Sequence, residues 1–223
     1  MMKIKMKTNI NPESFKYEYA NLEFFRDDYK TRLFAFLTAN ALPLFLRGGD
    51  TISTTPLVTG RHEIDIEEVT KWVAKSGYSN FLIDIGANIG LTACLCGPYF
   101  EKVFCFEPNP LAFKILEVNT KIALDSSVEL HLHNVALGPE KASLTLYIPK
   151  RNWGGAFLLE GNSYDEATLL RKDGLREFKE ENYLREDVFV ANAREALSPI
   201  FNNLVGEQPC LKSSVFRVPR GII

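Results

Sequence analysis

The chain has 223 residues, of which 46% are apolar and 24% charged, and its 26 basic and 28 acidic side chains give a net charge of −2. This composition is typical of one globular domain, with or without an extension, and excludes a disordered chain, a collagen-like repeat and a coiled coil. The balanced charge argues against a general nucleic-acid-binding protein, because such proteins carry a clear basic excess.

The first of three regions, residues 1–80, is predicted to be a helical extension and lead-in. An apolar stripe at helical spacing covers residues 15–25, and a second helix is expected over residues 63–76, before a capping glycine. Between them lies the longest apolar stretch, residues 33–46. Its 14 residues contain Thr, Asn and Pro and fall short of the roughly 20 that a membrane span needs. We expect a buried helix there, with contact to a partner or a lipid-linked substrate as the alternative, and a loop over residues 48–59.

The second region, residues 81–206, alternates strands with helices. Strands are predicted at residues 81–85, 103–106, 128–133 and 143–148, with helices at 91–96 and 110–124. This order is typical of a doubly wound α/β sheet. Further on, we expect a charged, helix-prone stretch, a short fifth strand and a helix broken or kinked by a proline (residues 160–187, 188–190 and 193–203). The third region, residues 207–223, is predicted to be an irregular tail.

A glycine-containing turn follows the first predicted strand and opens a helix. It reads Asp84-Ile-Gly86-Ala-Asn88-Ile-Gly90. Glycine lets the backbone turn sharply and approach a ligand, and a helix N-terminus favours an anionic group such as a carboxylate or phosphate. The carboxylate of Asp84 would accept a hydrogen bond from an ammonium group or order a water. The turn therefore predicts a ligand site at the carboxyl end of this strand.

Glu107 ends the next predicted strand, where an acidic side chain can bind both hydroxyls of a ribose. Together with the glycine turn, it predicts a nucleoside-containing cofactor. The dinucleotide fingerprint G-x-G-x-x-G is incomplete, because position 88 is Asn and the third glycine is absent. The sequence therefore favours S-adenosylmethionine. A dinucleotide-dependent oxidoreductase and an α/β domain without a ligand remain the alternatives.

These motifs resemble the FkbM-type methyltransferase family. The resemblance rests on residues 81–91, on Phe106-Glu-Pro-Asn-Pro110 with Asn119, and on Asn134-Val-Ala-Leu-Gly138, and it covers about residues 48–160. It implies a class I, Rossmann-like methyltransferase that uses S-adenosylmethionine, typically on a hydroxyl of a sugar or natural product. The acceptor would thus be a small molecule or a glycan. The implied contacts are with the methionine end (Asp84, Gly86, Ala87, Asn88 and Gly90), the ribose (Glu107) and the adenine (Asn134 and Ala136).

One feature of that family is missing from the sequence. Its members continue with a strand that reads approximately K-I-D-V-E-G, and nothing after Asn134 matches it. We therefore expect a C-terminally truncated sheet. The alternative function is a catalytically inactive remnant or binding module of the same fold.

Other polar and aromatic residues give weaker predictions. His62 is a candidate general base, or simply the start of the following helix, and Trp153 is a candidate for stacking on a sugar. His131 and His133 share one face of a strand, which favours a role on the sheet face over a metal pair. The four cysteines, Cys94, Cys96, Cys105 and Cys210, are too few for a disulfide scaffold and lack zinc-site spacing, so we expect no metal and a reducing, cytoplasmic compartment.

Overall fold

A computed structural model describes residues 42–158, 179–205 and 215–217. Its helices are α1 (Thr51–Thr59), α2 (Ile64–Lys75), α3 (Leu91–Cys96), α4 (Pro110–Ala123) and α5 (Ala193–Val205). Its strands are β1 (Phe81–Ile85), β2 (Lys102–Phe106), β3 (Glu129–His133), β4 (Ala136–Gly138), β5 (Ala142–Pro149), β6 (Phe157–Leu158), β7 (Tyr183–Asn192) and β8 (Val215–Arg217). Within these described ranges, no helix has both the length and the apolar character to cross a membrane.

The first sheet is entirely parallel, with the strand order β3-β2-β1-β8. Every residue of β1 is buried, as a strand covered on both faces requires. Alternate residues of β1 enter different cores. Leu82 packs with the side of the sheet that α3 and α4 cover, whereas Phe81 and Ile83 pack towards α5. The predicted α/β architecture with a parallel sheet is confirmed.

The second sheet is mixed and has the strand order β4-β7-β5-β6. Strand β5 runs antiparallel to β7, and β4 runs parallel to it. The sequence places residues 143–148 in the same doubly wound sheet as β1. The structure instead places them in this separate sheet, because residues 139–141 are too few for the crossover that a further parallel strand needs.

Several elements differ from the sequence prediction. Residues 51–59, expected to be a loop, form α1, because the Asp50 carboxylate caps the helix through Ile52 N at 3.2 Å. Residues 183–187, expected to be helix-prone, lie in β7, since pairing with β5 overrides local propensity. Helix α5 continues through Pro199 to Val205 rather than breaking there.

The two ends of the chain are described only in part. The predicted helix over residues 15–25 and most of the apolar stretch 33–46 lie outside the described residues, and residues 42–46 are irregular rather than helical. Residues 160–178 of the charged stretch also lie outside the described residues. The segment predicted to be an irregular tail contains β8, which pairs with β1 in parallel.

Candidate functional site

The turn between β1 and α3 is held in a left-handed backbone conformation at three positions. The φ angles are 73° at Gly86, 53° at Asn88 and 85° at Gly90. Helix α4 packs so closely on this turn that a Cβ at Gly90 would lie 2.6 Å from Leu116 Cδ1. The neighbouring strand fixes the start of the turn, since the N–H groups of Gly86 and of the buried Ala87 donate to the carbonyl of Phe106 at 2.8 and 3.1 Å. Packing and the left-handed backbone therefore require glycine at position 90, and the left-handed backbone favours it at position 86.

The carboxylate of Glu107 connects this turn to the loop after β2. Its Oε2 accepts a hydrogen bond from Asn88 N and its Oε1 one from Asn109 N, both at 2.7 Å. The side chain is only 6% exposed. Burial, opposed by the two N–H donors and assisted by the nearby charge of Asp84, raises its pKa to about 7. Glu107 is therefore a buried acid whose ionised form is held by two backbone amides.

Asp84 is completely buried in β1 and contributes negative charge beneath the turn. Burial, followed by this charge, raises the pKa of Cys94 to about 12 and that of Cys105 well above its usual value. Both thiols therefore stay protonated at neutral pH, and the two side chains serve to pack the core. Asp84 and Glu107 thus place two buried carboxyl groups at this end of the parallel sheet.

Asn119 in α4 holds the turn against the segment that precedes α1. Its Nδ2 donates to the carbonyls of Ile89 at 2.8 Å and Phe45 at 3.2 Å, and its Oδ1 accepts from Phe45 N at 2.7 Å. The side chain is completely buried. The side-chain amide of this one residue in α4 thus hydrogen-bonds both to the glycine turn and to the segment before α1. Sequence reasoning had this residue only as part of the family motif and assigned it no role.

A second polar cluster centres on Asp50, which is 2% exposed. Its Oδ2 accepts from Trp153 N at 2.9 Å and from Arg47 Nη1 at 3.2 Å. The guanidinium of Arg47 lies 4.5 Å from the centre of the Trp153 ring and covers one of its faces. If Trp153 stacks on a sugar, as predicted, the sugar must lie on the opposite face of the ring.

The short turn Trp153–Gly155 brings this cluster to the candidate site. The carbonyl of Trp153 accepts from Asn109 Nδ2 at 3.3 Å, and a Cβ at Gly154 would lie 2.7 Å from Asn88 Nδ2. Asn109 also caps α4 through Leu111 N at 3.0 Å. Sequence reasoning missed Asp50 and Asn109 as parts of the site. A cap signal is present for Asn109, because an Asn directly before a Pro at the first helical position favours a helix start.

Of the two residues expected at the adenine end, Asn134 is exposed but binds the protein backbone through its side-chain nitrogen. Asn134 Nδ2 donates to the carbonyls of Glu107 at 2.7 Å and Pro108 at 3.2 Å. Ala136 is buried and begins β4, where it pairs with Val190. Both residues lie where the chain leaves β3, and Asn134 is directly joined to the backbone of Glu107.

His62 lies apart from the other two histidines, whereas His133 adjoins the site, because its carbonyl accepts a hydrogen bond from Glu107 N at 3.0 Å. His62 is buried against the side of α3, beside Thr92 and Leu95, with its Nε2 3.8 Å from Glu63 Oε2. His131 and His133 stack on Phe104 and Phe106, with ring centres 4.5 and 4.7 Å apart. Burial lowers the pKa of His133. Among the described residues, no group of His, Cys, Asp and Glu side chains has the arrangement of a metal site.

The fold and this site define an α/β protein in which a glycine turn and a buried carboxylate meet at the carboxyl edge of a parallel sheet. A scan of the sequence against protein-family models finds no match, and a search of curated proteins finds no significant match. The geometry and the sequence motifs therefore carry the functional argument.

Proposed function

We propose that this protein is an S-adenosylmethionine-dependent methyltransferase that acts on a hydroxyl of a sugar or natural product. The supporting observation is the carboxylate of Glu107, which lies at the end of β2 and joins the glycine turn to the β2–α4 loop. Each oxygen of this carboxylate accepts one hydrogen bond within the protein and has a second lone pair available. The two available lone pairs can accept hydrogen bonds from the two hydroxyls of a ribose. Cys94 and Cys105 are buried thiols, which accords with the proposed cytoplasmic location.

The residues of the turn fit the amino-acid end of this cofactor. Asn88 Oδ1 is buried and has no hydrogen-bond partner among the described residues. A buried acceptor of this kind favours a donor such as an ammonium group. The proposal assigns the methionine end to Asp84, Gly86, Ala87, Asn88 and Gly90, the ribose to Glu107, and the adenine to the neighbourhood of Asn134 and Ala136.

When bound, S-adenosylmethionine supplies a methyl group on a positively charged sulfur. The protein's part is then to align the acceptor hydroxyl with that carbon and to exclude water, since positioning supplies much of the rate in such a displacement. The carboxylates of Asp84 and Glu107 favour a cationic ligand over the diphosphate of a dinucleotide. His62 stays a weak candidate for the general base, because its neighbours Thr92 and Leu95 belong to the side of α3.

A second candidate is a binding module of the same fold, or a remnant of it, that holds the cofactor without transferring a methyl group. It is favoured by β8, where the strand beside β1 reads Val215-Phe-Arg217 and carries no acid. An acidic residue on that strand would face the acceptor in the family that the motifs resemble. The two candidates differ in turnover and agree in cofactor binding.

The first experiment is calorimetric titration of the full chain with S-adenosylhomocysteine, followed by a thermal unfolding scan. Ligand at a hundredfold excess over its Kd would stabilise the fold by about 2.7 kcal/mol. We expect binding by the natural protein and a loss of at least about tenfold in affinity in Asp84→Asn, which keeps the side-chain size but removes the charge.

The matched control is Glu129→Gln, because Glu129 lies on the same sheet at its opposite, amino end, where it is exposed and paired with Lys102 at 3.0 Å. Its affinity for S-adenosylhomocysteine should not change. A folded natural protein that binds no S-adenosylhomocysteine contradicts the proposal, and tighter binding of a nicotinamide dinucleotide supports an oxidoreductase instead. Methyl transfer to a panel of sugar and polyketide alcohols then separates the enzyme from the binding module.

A further inference from the structure

Helix α2 exposes an apolar face. Its exposed fractions are 67% at Trp72, 57% at Val69, 44% at Ile66 and 43% at Ile64. Scattered single apolar residues are common on protein surfaces, but a contiguous apolar strip on one helix marks an interaction site. Tyr99, which is 39% exposed, lies beneath Lys71 and Lys75 on one flank of the helix.

The buried side of the same helix is unusually polar. Glu67, Thr70 and Ala74 face inward, and the carboxylate of Glu67 is satisfied by Lys71 at 2.6 Å and Arg61 at 3.4 Å. Burial opposes ionisation of Glu67, but these two cations keep its pKa below the usual value. The helix thus has its inward polar groups paired, while most of its large apolar side chains lie outward.

The exposed charges on this face are divided between its two ends. Asp65 and Glu68 lie in the N-terminal half, where Glu68 also pairs with Arg61 at 3.2 Å, and Lys75 lies in the last turn, over the ring of Tyr99. Glu68 and Lys75 are seven residues apart, so they lie on the same flank of the helix. An antiparallel copy of α2 would place each Glu68 beside the Lys75 of the other copy, with the apolar strip between them. The charge pattern is therefore complementary to itself under a two-fold rotation.

We propose that this face of α2, defined by Ile66, Val69 and Trp72, binds the same face of a second copy of this chain in antiparallel orientation. A single helix face is a small interface, so the dimer is weak and depends on concentration, with a Kd of about 1–100 µM. The proposal is independent of the cofactor and the reaction. It predicts a two-fold dimer with Val69 and Trp72 near the axis.

The test is sedimentation velocity of the full chain at protein concentrations from about 1 to about 200 µM. We expect a monomer–dimer equilibrium that Trp72→Glu weakens at least about tenfold. Phe189→Glu is the matched control, because Phe189 is 54% exposed on β7, away from α2. It should leave the equilibrium unchanged. A natural protein that stays monomeric over this range, or a dimer that Trp72→Glu leaves intact, overturns the proposal.

Charge exchange tests the orientation without removing an apolar side chain. Glu68→Lys and Lys75→Glu should each weaken the dimer, because like charges then face one another. The variant that carries both substitutions should restore it, since opposite charges again face one another across the two copies. Failure of this double variant to recover dimerisation overturns the antiparallel arrangement.

Discussion

At the end of β2, Glu107 accepts backbone hydrogen bonds from two loops that are 19 and 2 residues away in the sequence. Each bond favours the ionised carboxylate, but burial and the charge of Asp84 oppose ionisation, and the resulting pKa is about 7. The ordinary pKa of a Glu side chain is 4.5. Folding therefore raises the pKa of this group, and stability depends on pH through it.

Glu107 is expected to make the protein less stable as the pH rises from about 4.5 to about 7. In this window the unfolded state has lost the proton, whereas the folded state still holds it, so the free energy of unfolding falls by up to about 3 kcal/mol. Well above pH 7, where both states are ionised, this contribution is constant. Urea unfolding of the natural protein and of Glu107→Gln across this range measures it, because the neutral amide does not titrate.

The exposed Glu129 provides the control for that titration. Hydrogen bonds from Lys102 and His131 lower the pKa of Glu129, which shifts its titration below this window. Glu129→Gln should therefore keep the same slope of stability against pH as the natural protein from about 4.5 to 7. An equal slope in Glu107→Gln and the natural protein would mean that Glu107 is already ionised at acidic pH in the folded state.

Gly90→Ala is expected to destabilise the fold by about 2–4 kcal/mol, because it combines a left-handed backbone with a Cβ placed 2.6 Å from Leu116 Cδ1. Thermal or urea unfolding measures the change. Gly77→Ala is the matched control, since Gly77 has a φ of 97° but no atom within 4 Å of the added Cβ. Gly77→Ala should lose only the stability that corresponds to the strained left-handed backbone. Equal losses of stability in the two variants would refute the role of the Leu116 contact.

Sequence analysis identified the glycines of the turn and Glu107, because the spacing of these residues after predicted strands is local information. It missed Asp50 and gave Asn119 no role. Asp50 bonds to a residue 103 positions away, and Asn119 to one 74 positions away. No local pattern specifies such partners. The part of the site that local spacing determines was therefore predictable, and the part that long-range hydrogen bonds assemble was not.

At the scale of elements, the sequence predicts the positions of strands and helices with strong hydrophobic periodicity. It does not predict the elements whose conformation depends on pairing or packing with distant segments. The bounds of strand β1 and helix α2 match the prediction to within a residue, although α2 turns much of its apolar face outward. Residues 183–187 are rich in charge and would suit a helix in isolation, but they pair with β5. Exposed and buried positions alternate only in the next part of β7, from Asp187 to Val190. Helix α1 forms in a Thr-rich segment because Asp50 caps it and because Ile52 packs on the core beside Ile89.

Asp50→Ala is expected to loosen two elements together and to cost about 2–4 kcal/mol of stability. It removes the cap of α1 and leaves the N–H of Trp153 and the guanidinium of Arg47 without their buried acceptor. The fluorescence of Trp153 should shift to longer wavelength in the folded variant. Urea unfolding followed by fluorescence and circular dichroism measures both effects.

Asp125→Ala is the corresponding control. Asp125 also accepts a backbone hydrogen bond, from Ser127 N at 3.0 Å, but it is exposed. Its removal should cost much less stability than that of Asp50, because water can take over the lost acceptor. A loss of similar size in both variants, or unchanged fluorescence in Asp50→Ala, would mean that Asp50 does not hold the Trp153–Gly155 turn.

At the scale of the whole described fold, helix α5 joins the two sheets. It follows directly from β7 of the mixed sheet, yet its residues Ala196, Leu197 and Ile200 pack on the buried face of the parallel sheet beside Phe81 and Ile83. The division into two sheets was not predictable from the sequence, because the spacing of strands does not specify which partner β5 chooses. The packing of α5 makes the two sheets one folding unit, since the helix continues the chain of one sheet and covers a face of the other.

Leu197→Ala is therefore expected to destabilise both sheets by the same amount, about 1–3 kcal/mol for a half-buried side chain. Hydrogen exchange of the β1 and β7 amides measures each sheet separately, and their opening free energies should fall together. Val118→Ala, at an exposed position on α4, is the control and should change neither by more than about 0.5 kcal/mol. If exchange in β7 alone became faster, the mixed sheet would open independently of the parallel one, and α5 would belong to only one of them.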